Sequence, residues 1–207
     1  MQLINNIRRY KGVEADIISK EPKSIKSLAD WNDIKPAYID YIGETKPRNH
    51  PGAQLKPVVI YTNNTGHNDF HILKTVHDDD YLFFYAETVD PVKIAKDDDR
   101  LRLYIDFDKN WETGWNGYDY RIVNGDKLQK YDNNRWLYVK KINSTIEGNK
   151  IVISVLRKEI GIGENINIEY KWVDNMQNED PLDWYINGDC APGARFNCVY
   201  ITEKTNQ

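Results

Sequence analysis

The sequence predicts an all-β fold, an antiparallel β-sandwich of jelly-roll-like type preceded by a short N-terminal helix. Three observations carry that expectation. From residue 28 onward, short segments alternate apolar with polar residues, the period of two that gives a strand one buried face. Clusters of Asp, Asn and Gly separate these segments, as at Asn63-Asn64-Thr65-Gly66 and Asp78-Asp79-Asp80, and such clusters make turns. No long stretch after residue 28 repeats apolar residues at helical spacing. Many short strands joined by polar turns pack as two sheets face to face.

The chain opens on Leu3, Ile4, Ile7 and Tyr10, which fall on one side of a helix with Asn5, Asn6, Arg8 and Arg9 opposite. Such a helix has little to pack on by itself. The Lys-, Glu- and Ser-containing stretch from Gly12 to Ser27 reads as a linker. Residues 1–27 are therefore expected to belong to a preceding domain, with the sandwich over 28–207 as the C-terminal part of a longer protein. Strands are predicted at Gln54–Thr62, Asp69–His77 and Tyr81–Glu87, then at Arg100–Asp106 and Tyr118–Val123. In the fourth of these, Leu101, Leu103 and Ile105 face one way and Arg102, Tyr104 and Asp106 the other. Further strands are predicted at Trp136–Lys140, Lys150–Leu156, Asn167–Val173 and Ala194–Tyr200, with one helical turn inside Ser154–Ile160.

Composition narrows the function. The net charge of −4 over 207 residues, with no basic block, gives no footprint for nucleic acid. No segment has the length needed to cross a bilayer, and Met1 is followed by a polar amphipathic stretch rather than an apolar leader. Cys190 and Cys198 are the only cysteines, and a domain of this size folds without a staple, so both are expected as free thiols, with a disulfide as the alternative in an exported protein. The aromatic content is carried by 14 Tyr and 6 Trp against 5 Phe. Aromatics with polar handles suit contact surfaces better than plain cores do.

Several segments, taken in order, resemble carbohydrate-binding module family 9 and the sandwiches related to it. They are Ala29-Asp30-Trp31-Asn32-Asp33, then His77 to Ala86 with its acidic turn and aromatic strand, then Leu103 to Tyr120 with Ile105-Asp106-Phe107-Asp108 and Gly114-Trp115-Asn116-Gly117-Tyr118-Asp119-Tyr120, and last Asn187 to Asn197. The resemblance spans roughly residues 28 to 201. It implies a non-catalytic module that binds oligo- or polysaccharide and accompanies a glycoside hydrolase domain in carbohydrate catabolism. A secreted, periplasmic or cell-surface setting follows as an expectation.

A sugar site needs flat aromatic platforms for ring faces and amide, carboxylate or guanidinium groups for hydroxyls. Trp111 lies in the polar run Asp108-Lys109-Asn110-Trp111-Glu112-Thr113, where no core demands it. Trp184 stands in a second turn-rich stretch and either faces Trp111 across a sugar or plugs the end of the sandwich. Asn116, Asp119 and Arg195 are the candidates for polar selection, and Trp115 completes the ligand set unless it packs across the strand connection. Trp31, Trp136 and Trp172 stand in strand or pre-strand contexts and are expected in the core. Asp106 and Asp108 are the candidate ligands of a structural Ca²⁺, which accepts hard oxygens in irregular loops. No buried carboxylate pair of the kind a glycosidase uses stands out, so catalysis by this chain itself is not expected. Met176 with a histidine is a remote haem-ligand pair. The competing reading is a structural domain that docks on a catalytic partner and binds no sugar.

Overall fold

The computed structural model describes residues 17–18, 22–52, 60–94, 100–193 and 196–202. The expected helix over residues 1–10, Asp97 to Asp99, Arg195 and most of the predicted strand Gln54–Thr62 lie outside the described residues.

The described residues form fifteen strands: β1 (Ile17–Ile18), β2 (Tyr38–Ile39), β3 (Arg48–Pro51), β4 (Ile60–Asn63), β5 (Phe70–His77), β6 (Tyr81–Thr88), β7 (Arg102–Asp106) and β8 (Tyr120–Val123), followed by seven more. These are β9 (Lys127–Asp132), β10 (Arg135–Lys141), β11 (Asn143–Glu147), β12 (Lys150–Leu156), β13 (Asn167–Asp174), β14 (Asp189–Ala191) and β15 (Cys198–Ile201). The larger sheet runs β1-β15-β13-β7-β8-β9-β10, with β14 also paired to β13. The smaller runs β11-β12-β6-β5-β2, and β3 with β4 forms a separate hairpin. Pairing is antiparallel throughout except between β1 and β15. A 3-10 turn at Arg157–Ile160 fulfils the expected helical turn, and α1 is the single turn Asp183–Ile186. Among the described residues, no helix is long and apolar enough to cross a membrane.

The core lies between the two sheets and follows the period of two. Leu82, Phe84 and Ala86 of β6 and Ile151, Ile153 and Val155 of β12 meet Leu103 and Ile105 of β7, Ile122 of β8, and Ile168, Tyr170 and Trp172 of β13. The alternate residues face outward, but many of those are covered too. On the smaller sheet, Phe83, Tyr85 and Val152 are capped by Trp31 and Ile34, with Ile25 and Leu28 packed at the margin. Trp31 stacks on Tyr85 at 4.9 Å between ring centroids.

Two expectations need correction. Within the stretch Gly12–Ser27 the described residues are not all linker: Ile17–Ile18 extends the larger sheet by pairing with Tyr200–Ile201, and the Lys23 N–H donates to the His77 carbonyl at 2.7 Å. Nor is β7 open on its second face. All five of its residues are buried, because the aromatic loops and α1 fold over Arg102 and Tyr104.

Candidate functional site

The connection from β7 to β8 carries Trp111, and a chain of short-range hydrogen bonds fixes its path. At the end of β7, Asp106 Oδ1 accepts the Lys109 N–H at 2.6 Å, and Asp108 Oδ1 accepts the Asn110 N–H at 2.8 Å. The Thr113 hydroxyl donates toward the Asn110 carbonyl at 2.8 Å and sits 3.1 Å from Asp108 Oδ2. Asp119 Oδ2 reaches back to accept the Phe107 N–H at 3.1 Å. The loop returns through a tight Asn116-Gly117 turn, in which both residues have positive φ, +53° and +92°, and Trp115 and Tyr118 exchange backbone hydrogen bonds. That is the two-residue hairpin turn that Asn-Gly favours, since both central residues need the left-handed region. Gly114 is required as well, because a Cβ there would lie 2.3 Å from the Tyr118 carbonyl oxygen.

On this pinned loop Trp111 is 80% exposed, the highest value for any large hydrophobic among the described residues. The indole therefore offers a flat apolar surface to water, as its polar sequence context predicts. Asn116 is exposed at the turn beside it.

Trp184 does not share that surface. It is 6% exposed, and its indole N–H points at the Met176 sulfur 3.3 Å away. The expected clamp of Trp111 and Trp184 across a sugar is thereby corrected. Asp183 is the local cause: it accepts the Asn178 N–H at 3.0 Å and the Asn187 amide at 2.6 Å, which ties the preceding loop to α1 and folds the indole onto the sheet. Trp115 also turns inward, stacking on Tyr104 at 5.2 Å with a 19° angle between planes, so it packs rather than presents a face. Trp184 meets Trp115 edge to face at 6.0 Å. Met176, the methionine of the haem alternative, is buried, and its sulfur is surrounded by donors from Arg102, Tyr104 and Trp184. Trp31 and Trp172 are core residues as expected, whereas Trp136 is only half-buried on the outer face.

Asp119 is buried and cannot meet a sugar hydroxyl in the surface role assigned to it. Instead it joins Asp106 and Asp108, with one carboxylate oxygen of each lying within 4.8 Å of the others. Burial, followed by the nearby charges of Asp119 and Asp108, pushes the Asp106 carboxyl up to about 6. Burial raises Asp119 as well. A cation at this point would relieve both, so the donor set fits a hard ion. The acidic turn Asp78 to Asp80 is used differently: Asp78 Oδ1 accepts the N–H groups of Asp80 and Tyr81 at 3.0 and 2.6 Å, an ordinary turn lock.

Sequence reasoning missed the polar layer beside these aromatics. Arg102 and Arg121 are buried and converge on one oxygen of Glu179, at 3.0 and 2.7 Å. The Arg121 guanidinium also lies 4.5 Å over the Trp136 ring. The only available signal was an Arg at an outward position in each of two neighbouring strands. Lys171, with no exposed surface, points its ammonium at the Phe196 carbonyl 2.6 Å away and lies 5.3 Å over Trp184. Three shallow pockets of about 110, 250 and 340 Å³ line the smaller sheet and its margins, and none includes Trp111. The exposed Trp111 indole gives the candidate site a platform.

The fold and site together define a β-sandwich with one exposed indole on a rigid loop above a carboxylate cluster. Comparison with known proteins adds no relative: no family model, no curated protein and no solved structure matches the chain.

Proposed function

We propose that this chain is a non-catalytic carbohydrate-binding module that accompanies a polysaccharide-degrading domain. The observation that carries the reading is Trp111, 80% exposed on a loop whose own hydrogen bonds hold it still. A rigid, solvated indole stacks on the C–H face of a pyranose without losing much loop entropy, and preorganisation of that kind favours binding. Asn116 at the neighbouring turn supplies an amide for hydroxyls. Asp106, Asp108 and Asp119 hold Ca²⁺ in this reading, and the ion's part is to brace the loop rather than to touch sugar.

With one indole platform, affinity is weak, on the order of micromolar to millimolar. Tethering makes such affinity useful by raising the local concentration of an attached enzyme. Titration with soluble polysaccharides, read by Trp fluorescence and compared with Trp111→Ala, tests the proposal. A second reading, docking on a catalytic partner, draws on Ile39, Tyr41 and Ile42, which stand 46%, 73% and 50% exposed in a row at the edge strand β2. Absence of any glycan response, with binding to a separate catalytic domain that is lost in Tyr41→Ser, would favour it.

A further inference from the structure

A second carboxylate cluster lies at the other end of the sandwich from the Trp111 loop. Asp106 pairs with Glu169 on β13, whereas Asp189 pairs with Asp174 five residues further along the same strand. At about 3.3 Å per residue, the two clusters are separated by about 17 Å. The second comprises Asp40 just after β2, Glu44 in the following loop, and Asp189 at the start of β14, and one oxygen from each lies within 4.8 Å of the others.

The surroundings hold these carboxylates in place. The Asp40 N–H donates to the His71 carbonyl at 2.8 Å, and its Oδ1 accepts the Tyr38 hydroxyl at 2.8 Å. Asp69 grips the loop that carries Glu44 by accepting the Gly43 N–H at 2.7 Å. Asp189 is 2% exposed. One of its oxygens accepts the Phe70 N–H at 2.7 Å, but the other is buried and meets no hydrogen-bond donor among the described residues. A buried carboxylate oxygen left this way is costly unless something positive meets it. The Arg48 guanidinium is engaged next door, donating to the Gly188 carbonyl at 2.8 Å.

We propose that Asp40, Glu44 and Asp189 form a binding site for Ca²⁺. The donors are all hard oxygens, and they come from separate loop and strand-end positions, which suits a cation with irregular coordination. Ligands about 2.4 Å from one ion can be at most about 4.8 Å apart, so a single Ca²⁺ fits the spacing. The ion would bridge the two sheets, because β2 belongs to the smaller and β14 to the larger.

The test uses the full chain carrying Asp108→Ala, which disables the first cluster, stripped with EDTA and titrated with CaCl₂ by calorimetry and thermal unfolding. One equivalent of Ca²⁺ and a rise in the unfolding midpoint are expected. Adding Glu44→Gln should weaken that binding by about tenfold or more and abolish the rise, while leaving the chain folded in EDTA. Asp189→Asn gives an independent check, with the same loss expected. No calcium-dependent shift in the Asp108→Ala chain, or unchanged affinity after Glu44→Gln, overturns the proposal.

Discussion

Replacing Trp111 by Ala separates binding from folding in a way that few other positions allow. The indole is 80% exposed, so its removal takes almost nothing from the packed interior. Surface changes of that kind move stability by about 0.5 kcal/mol at most. A pyranose lying on one indole face would cover about 100 Å², worth about 2.5 kcal/mol at about 25 cal/mol per Å². Loss of that contact corresponds to a drop in affinity of roughly 70-fold. Isothermal titration with the best soluble glycan measures the affinity, and thermal unfolding of the same samples measures stability. Unaltered affinity in a folded Trp111→Ala chain would refute the platform. A fall in unfolding midpoint of many degrees would refute the claim that the indole stands free.

Trp184→Ala should behave in the opposite sense, costing about 3–5 kcal/mol of stability because a buried indole leaves a cavity; denaturant unfolding reads it, and a cost under about 1 kcal/mol would contradict the burial. Asp106 gives a pH signature. Its carboxyl is raised to about 6, mainly by burial. The folded state therefore holds a proton that the unfolded state releases near pH 4, and this contribution to stability is complete below about 4 and lost as pH rises toward 6. His77, lowered by burial, works the other way at falling pH, so the informative quantity in EDTA is wild type minus Asp106→Asn. That difference should fall with rising pH between about 4 and 6; a flat difference would show that Asp106 does not titrate as described. Cys190 and Cys198 are both buried and in no disulfide, and burial pushes the Cys190 thiol up to about 11. Neither should react with a thiol reagent at neutral pH until denaturant is added, and rapid labelling of the native chain would contradict this.

The strands were legible because the signal for them is local. Leu82, Phe84 and Ala86 alternate with Phe83 and Tyr85, and Leu103 and Ile105 with Arg102 and Tyr104, so the backbone period alone assigns inner and outer faces. Strands β9 and β11 escaped, since Lys127–Asp132 and Asn143–Glu147 are mostly polar and their pairing depends on neighbours that lend them an apolar side. That the cysteines form no disulfide was likewise readable from chain size. At the site, Trp111 was legible from the polarity of its run, and so was the closeness of Asp106 and Asp108. Asp119 joined them only because β7 and β8 lie side by side and return the chain to the same rim.

Sequence by itself determined the all-β class, the inward residues of the central strands, and the exposure of an indole set among Asp, Lys, Asn and Glu. Tertiary structure decided the fates of Trp184 and Trp115, which stand in runs nearly as polar but are drawn over the sheet by Met176, Tyr104 and one another. It also brought Asp189 to Asp40 and Glu44 from far along the chain. The physical reason is the range of the forces involved. Strand alternation is written in the geometry of consecutive residues, whereas burial of a loop side chain depends on which distant segments close over it.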